Sequence, residues 1–175
     1  MSKIPDKKEC AKLLEKAGCS EDVIAHCGAV HRLAMKIAKL CNADLKLVSA
    51  GALLHDIGRS RTHGIRHAVE GAKIARKLGL PKAIVLIIER HIGAGLTRDE
   101  AVELGLPPKD YMPLSLEEKI VAHADNLIAT REKQSVTELA EKLDKKGLND
   151  GAKRTIALHR ELSELCGMEL DKLDL

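Results

Sequence analysis

Apolar residues recur along this chain at steps of three and four, and nowhere in sustained alternation with polar ones. That period places them on single faces of helices and leaves no half-buried strand. A short helix over about residues 5–16 stops at Gly18. A second starts at Ser20 with Glu21 and Asp22 in its first turn, and Val23, Cys27, Val30, Ala34, Ile37 and Cys41 form its apolar stripe. A third runs from Asp44 through Leu53 and Leu54 to Ile57, with Gly58 as its stop and Ser49-Ala50-Gly51-Ala52 keeping it thin enough for close packing.

After the polar stretch Ser60–Ile65, His67, Gly71, Ile74 and Leu78 share a helical face that ends at Gly79. Pro81 opens the next helix, which ends near His91-Ile92-Gly93. Its run Ala83–Ile88 is strand-like by residue type, but the Pro start and the Glu89-Arg90 continuation favour a buried helix. A short helix near Arg98–Leu104 leads into the Pro-containing loop Leu106–Pro113, long enough to form a rim or lid. Ser115 and Glu118 form a capping box for a helix carrying Ile120, Val121, Ala124, Leu127 and Ile128, and residues 135–166 read as two amphipathic helices broken near Lys146-Gly147. The expected fold is all-α, with about seven to nine helices.

The length of 175 residues and the 45% hydrophobic content suit one compact domain spanning the whole chain. With no Trp or Phe and only Tyr111, the core is aliphatic, and base-stacking platforms are not expected. A net charge of +3 from 29 basic and 26 acidic residues describes a solvated surface, not a nucleic-acid stripe. The five cysteines, odd in number and without a C-x-x-C, indicate free thiols in a reducing cytosol. The charged segment Met1–Ala11 has no signal-like apolar run, and Ala83–Ile88 is far too short to span a membrane, so a soluble cytoplasmic protein is expected.

The chemistry centres on Leu53-Leu54-His55-Asp56-Ile57-Gly58-Arg59. A carboxylate and an imidazole at the end of an apolar helix lose hydration, and a cation or charged partner is the usual compensation. A lone His-Asp pair is more often a capping or surface pair. Here it has company: Asp125 lies between Val121 and Ile128 on an apolar face, His26 borders the second helix's stripe, and His67 and His91 line up with apolar faces of theirs. His31 flanks the same stripe as His26. His63, four residues before His67, sits in a polar loop that favours a surface position; His123 and His159 read as structural or exposed. Arg59 suits either a phosphate oxygen or the helix dipole, and Lys119, Arg98 and Arg131 are weaker candidates for phosphate.

The order His26, His55-Asp56 and Asp125, with His55-Asp56-Ile57-Gly58 intact, resembles the HD superfamily of metal-dependent phosphohydrolases, in its small HDIG-type form, over about Val23–Ala129. The resemblance selects His26 over His31 and implies that His26, His55, Asp56 and Asp125 hold a first divalent metal, with Asp56 bridging to a second held by His67 and His91. A single histidine near position 91, where many two-metal relatives have a pair, departs from that pattern. Such a site accepts Mn, Fe, Co, Ni, Zn or Mg. The implied reaction is hydrolysis of a phosphomonoester or phosphodiester, of a nucleotide or related small molecule, with Asp56 orienting or deprotonating the water; if no second metal binds, His67 and His91 become catalytic candidates for phosphate contacts or leaving-group protonation, and Arg59 is the candidate phosphate contact. A di-iron oxygenase and a non-catalytic nucleotide-binding module are the alternatives.

Overall fold

The computed structural model describes residues 3–175. Nine α-helices account for nearly all regular structure among the described residues: α1 Lys7–Ala17, α2 Glu21–Leu40, α3 Leu45–Leu54, α4 His67–Lys77, α5 Lys82–Glu89, α6 Arg98–Glu103, α7 Leu116–Asn126, α8 Val136–Lys145 and α9 Asn149–Cys166. Two 3₁₀ turns, Ile57–Ser60 and Leu170–Lys172, and one two-stranded hairpin, β1 Ile128–Ala129 with β2 Glu132–Lys133, complete it. The caps follow the sequence: the Ser20 hydroxyl accepts from Val23 N–H, and Asp6, Thr97 and Ser135 each complete a reciprocal capping box with a Glu three residues on.

α3 lies between two apolar clusters. Val48 and Ala52 face one, built with Val30, Leu33 and Ile37 of α2 and Ile120, Val121 and Ala124 of α7. Ala50 and Leu54 face the other, built with α1, α4 and α5. Its small residues are needed there, because a Cβ on Gly51 would sit 2.7 Å from Ile87 Cδ1. α3 thus emerges from the centre of the molecule, and its C-terminal end delivers His55 and Asp56 into the interior.

Several expectations are corrected. Gly58 does not stop α3, which ends at Leu54; it sits in the following 3₁₀ turn, pressed on α4. Ser115 does accept from Glu118 N–H, but the buried Glu118 carboxylate turns instead to Leu114 N–H and Arg90, leaving half a capping box. Ile128 belongs to the hairpin, whose two-residue strands are too short to leave an alternating pattern. The loop Leu106–Pro113 is no lid. Tyr111 buries its ring against Val69, Ala101 and Leu106, its N–H donates to Leu96 O (2.8 Å), and Lys109 pairs with Glu89 (2.8 Å), so the loop is held away from the cleft described below.

The cysteines are not all free. Cys41 at the end of α2 and Cys166 at the end of α9 form a disulfide, while Cys10, Cys19 and Cys27 stay reduced. Two helix ends 125 residues apart in sequence meet in space, which no spacing rule detects. No described helix is long and apolar enough to cross a membrane.

Candidate metal centre

Five helical segments deliver six side chains to one point: His26 from α2, His55 and Asp56 from the α3 exit, His67 from the first turn of α4, His91 just past α5 and Asp125 from α7. Asp56 is central. Its Oδ1 lies 3.1 Å from His67 Nε2 and 3.5 Å from His91 Nε2, and its Oδ2 lies 3.7 Å from His55 Nε2 and 3.8 Å from His26 Nε2. Asp125 Oδ1 lies 2.9 Å from His26 Nε2 and 3.3 Å from His55 Nε2.

The other ring nitrogens determine what these contacts mean. His55 Nδ1 faces Ala52 O (2.7 Å), His67 Nδ1 faces Gly64 O (2.8 Å), His91 Nδ1 faces Ile88 O (2.7 Å) and His26 Nδ1 faces Thr130 O (2.9 Å). A carbonyl oxygen only accepts, so every Nδ1 carries its proton and donates. All four Nε2 atoms are then the free ring positions, and they converge on two carboxylates and on one another, with His67 and His91 Nε2 only 3.0 Å apart. Lone pairs facing lone pairs are stable only with positive charge among them. His55 Nε2 and Asp56 Oδ1 are also buried without a hydrogen-bond partner, a costly condition that a cation removes.

Without a cation, protons held between these Nε2 atoms and the carboxylates supply that positive charge. Burial opposes the charged form of His55, but Asp56, Cys27 and Asp125 outweigh it and hold its pKa well above the ordinary imidazole value. Burial would raise Asp56 and Asp125; the His55 charge and hydrogen bonds from the surrounding imidazoles hold both carboxyls well below the usual range. His91 is lowered, chiefly by burial. Two sets of three donors could each hold an ion, His26-His55-Asp125 and His55-Asp56-His91.

Arg59 sits at the edge, its Nε donating to Asp56 Oδ2 (2.5 Å) and its Nη1 to His63 O (3.3 Å). A cleft of about 520 Å³ opens above, lined by Asp22, His26, Asp56, Arg59, His63, Asp125 and Thr130 among others. His67 and His91 lie beneath it and do not line it.

The remaining histidines sort cleanly. His31 points away, bonded to Ser49 Oγ (2.9 Å) and pushed by burial down to about 4. His63 is exposed on the cleft wall. His123 and His159 are buried together, 2.9 Å apart at their nearest nitrogens, with Glu169 beyond His159. Lys119 pairs with Glu161 and Arg131 with Asp22, while the Arg98 backbone N–H donates to Asp110; none of the three lines the cleft. Sequence reading missed the four carbonyls. Three lie three residues before their histidine, a signal at helix ends, whereas Thr130 left none.

Helices that aim buried imidazoles and carboxylates at a shared cation position define a His/Asp metal-centre scaffold. The HD domain family model matches residues 23–130, and the chain belongs to that family. It is 49% identical over 170 residues, 97% of its length, to a Thermoplasma volcanium protein named tRNA (cytidine(56)-2'-O)-methyltransferase, and spans about half (50%) of that relative. It is 53% identical over 154 residues to an uncharacterized Methanocaldococcus jannaschii protein, covering 84% of this chain and 91% of that one. Among solved structures, the HD domain of the L. monocytogenes phosphodiesterase PgpH with cyclic-di-AMP has a TM-score of 0.60 at 19% identity, over 95% of this chain and 96% of that one, a shared fold.

Proposed function

We propose that this protein is a metal-dependent phosphohydrolase that cleaves a phosphodiester in a nucleotide or short oligonucleotide. The convergence of four Nε2 atoms on the buried Asp56 and half-buried Asp125 carboxylates carries this reading, because that arrangement calls for divalent cations. His26, His55 and Asp125 would hold one, beside Asp56 Oδ2; His67 and His91, which face Asp56 Oδ1, would hold a second, with Asp56 shared between the two. A divalent cation in this place supplies Lewis acidity toward a phosphoryl oxygen and makes water a nucleophile near neutral pH.

The residues divide the remaining work. Asp56, fixed by Arg59, orients an attacking water at the cleft floor. Arg59 keeps part of its guanidinium facing the cleft, where it would bind a phosphate oxygen. His67 and His91, buried under the floor, serve as ligands and not as proton donors to a leaving group. The open, polar cleft suits a hydrophilic phosphate ester. The PgpH neighbour, solved with cyclic-di-AMP, and the tRNA-modifying name of a relative favour nucleotide or RNA chemistry.

Metal-loaded protein assayed on cyclic dinucleotides, short oligoribonucleotides and nucleoside monophosphates should release product from at least one class, and Asp56→Ala should abolish it. Equal turnover by the variant refutes the site. Metal-dependent binding without turnover of any class refutes hydrolysis and leaves a binding module, and oxygen consumption with iron would indicate a di-iron oxygenase.

A further inference from the structure

His26 is the one imidazole of the cluster whose own stretch of chain does not orient it. His55, His67 and His91 sit at helix ends, where the carbonyl three residues back accepts their Nδ1–H. His26 stands in the middle of α2, where backbone carbonyls are committed to the helix ladder. Its Nδ1–H reaches instead to Thr130 O, 104 residues away.

Thr130 pays for that position in backbone strain. Its φ is +61°, a left-handed conformation that a β-branched residue rarely adopts. Arg131 N–H donates to Ala129 O (2.8 Å), closing a three-residue turn around Thr130 in the strained hand of the γ-turn. Neither turn residue is Gly or Asn, the residues that make such hairpins easy. The surroundings hold the turn. Ile128 pairs with Lys133 and Ala129 with Glu132; Gln134 N–H donates to Leu127 O (2.8 Å); and Arg131 reaches Asp22 Oδ1 (2.5 Å) on the first turn of α2. One segment therefore grips the His26 ring from both sides, with Asp125 at Nε2 and Thr130 O at Nδ1.

We propose that Thr130 is a positioning residue, held in a left-handed turn so that its carbonyl fixes His26 as the Nδ1–H tautomer and aims Nε2 at the metal position. The effect on metal affinity rests on the metal-centre reading above; the tautomer does not, since it is readable without metal. Strain held by surrounding contacts at a functional position is the expected signature.

The test uses two variants of the full chain. Thr130→Pro forbids positive φ and swings the carbonyl away; Thr130→Gly keeps the conformation and relieves its strain. Histidine ¹⁵N NMR of metal-free protein should show a hydrogen-bonded proton on His26 Nδ1 in wild type and Thr130→Gly; in Thr130→Pro, with Asp125 the one remaining acceptor, the proton should shift to Nε2. Mn²⁺ titration should give an affinity within about three-fold of wild type for Thr130→Gly and roughly ten-fold or more weaker for Thr130→Pro. The melting temperature of Thr130→Gly should rise by roughly 2–4 °C. A wild-type tautomer and affinity in Thr130→Pro overturns the proposal, as does a lower melting temperature in Thr130→Gly. If Thr130→Pro fails to fold, Arg131→Ala, which frees the turn from α2, replaces it with the same expected direction. Absence of Mn²⁺ binding by wild type refutes the metal-centre reading alone, and the tautomer comparison still decides the role of Thr130.

Discussion

Replacing Gly58 with Ala tests whether close contact between the 3₁₀ turn and α4 sets the geometry of the centre. The added Cβ would lie 1.9 Å from His67 O and 2.4 Å from Gly71 N, both backbone atoms that no rotamer change can move. Relief requires the turn and α4 to separate by roughly an ångström, against the ~0.2 Å within which metal–ligand distances normally hold. That motion pulls Asp56 away from His67 Nε2, now 3.1 Å from its Oδ1. Overpacking costs about 1–3 kcal/mol when side chains can adjust, so with backbone on both sides the expected loss is at least about 3 kcal/mol. Urea unfolding of metal-free protein would measure it, and Mn²⁺ titration should show at least a roughly ten-fold loss of affinity. Gly151→Ala is the control, because its nearest neighbour, Leu148 Cβ, stands 4.0 Å away. Stability and affinity in Gly58→Ala equal to those of the control would refute the reasoning.

Two further outcomes follow from the buried groups. Burial lowers the His123 pKa from 6.5 to about 3, so below pH 6.5 the unfolded chain binds a proton that the native state does not, and stability falls with pH. This group alone should remove about 2 kcal/mol between pH 6.5 and 5, and urea unfolding of His123→Leu should show a correspondingly flatter acid limb; an unchanged limb would contradict the assignment. Closing 125 residues through Cys41–Cys166 constrains the unfolded chain, so reduction should lower stability by up to about 4–5 kcal/mol. Reductant should have no effect on a Cys41→Ser/Cys166→Ser variant, and an unfolding midpoint insensitive to reductant in the native chain would show that the pair does not form.

What the sequence determined by itself is the local part. The three-and-four spacing of Val23, Cys27, Val30, Ala34 and Ile37 could make only an amphipathic helix, and capping residues such as Ser20 and Ser135 set where helices begin, because these are interactions within a turn or two. His55-Asp56 and Asp125 stood out against apolar faces of their own helices for the same reason, but His26 and His31 flank one stripe alike, and only the resemblance to the HD superfamily chose His26 and joined the four into a set. Tertiary structure decided whatever depends on two distant segments meeting. Gly58 has its meaning only against the backbone of α4, and Tyr111 draws its loop off the cleft by burying its ring. Cys41 meets Cys166 only because α2 and α9 end side by side. Pairing His67 Nε2 with His91 Nε2, and His26 with a carbonyl from beyond α7, is likewise a property of the assembled core: a side chain's residue type is written in the sequence, but which lone pair faces which is set by packing.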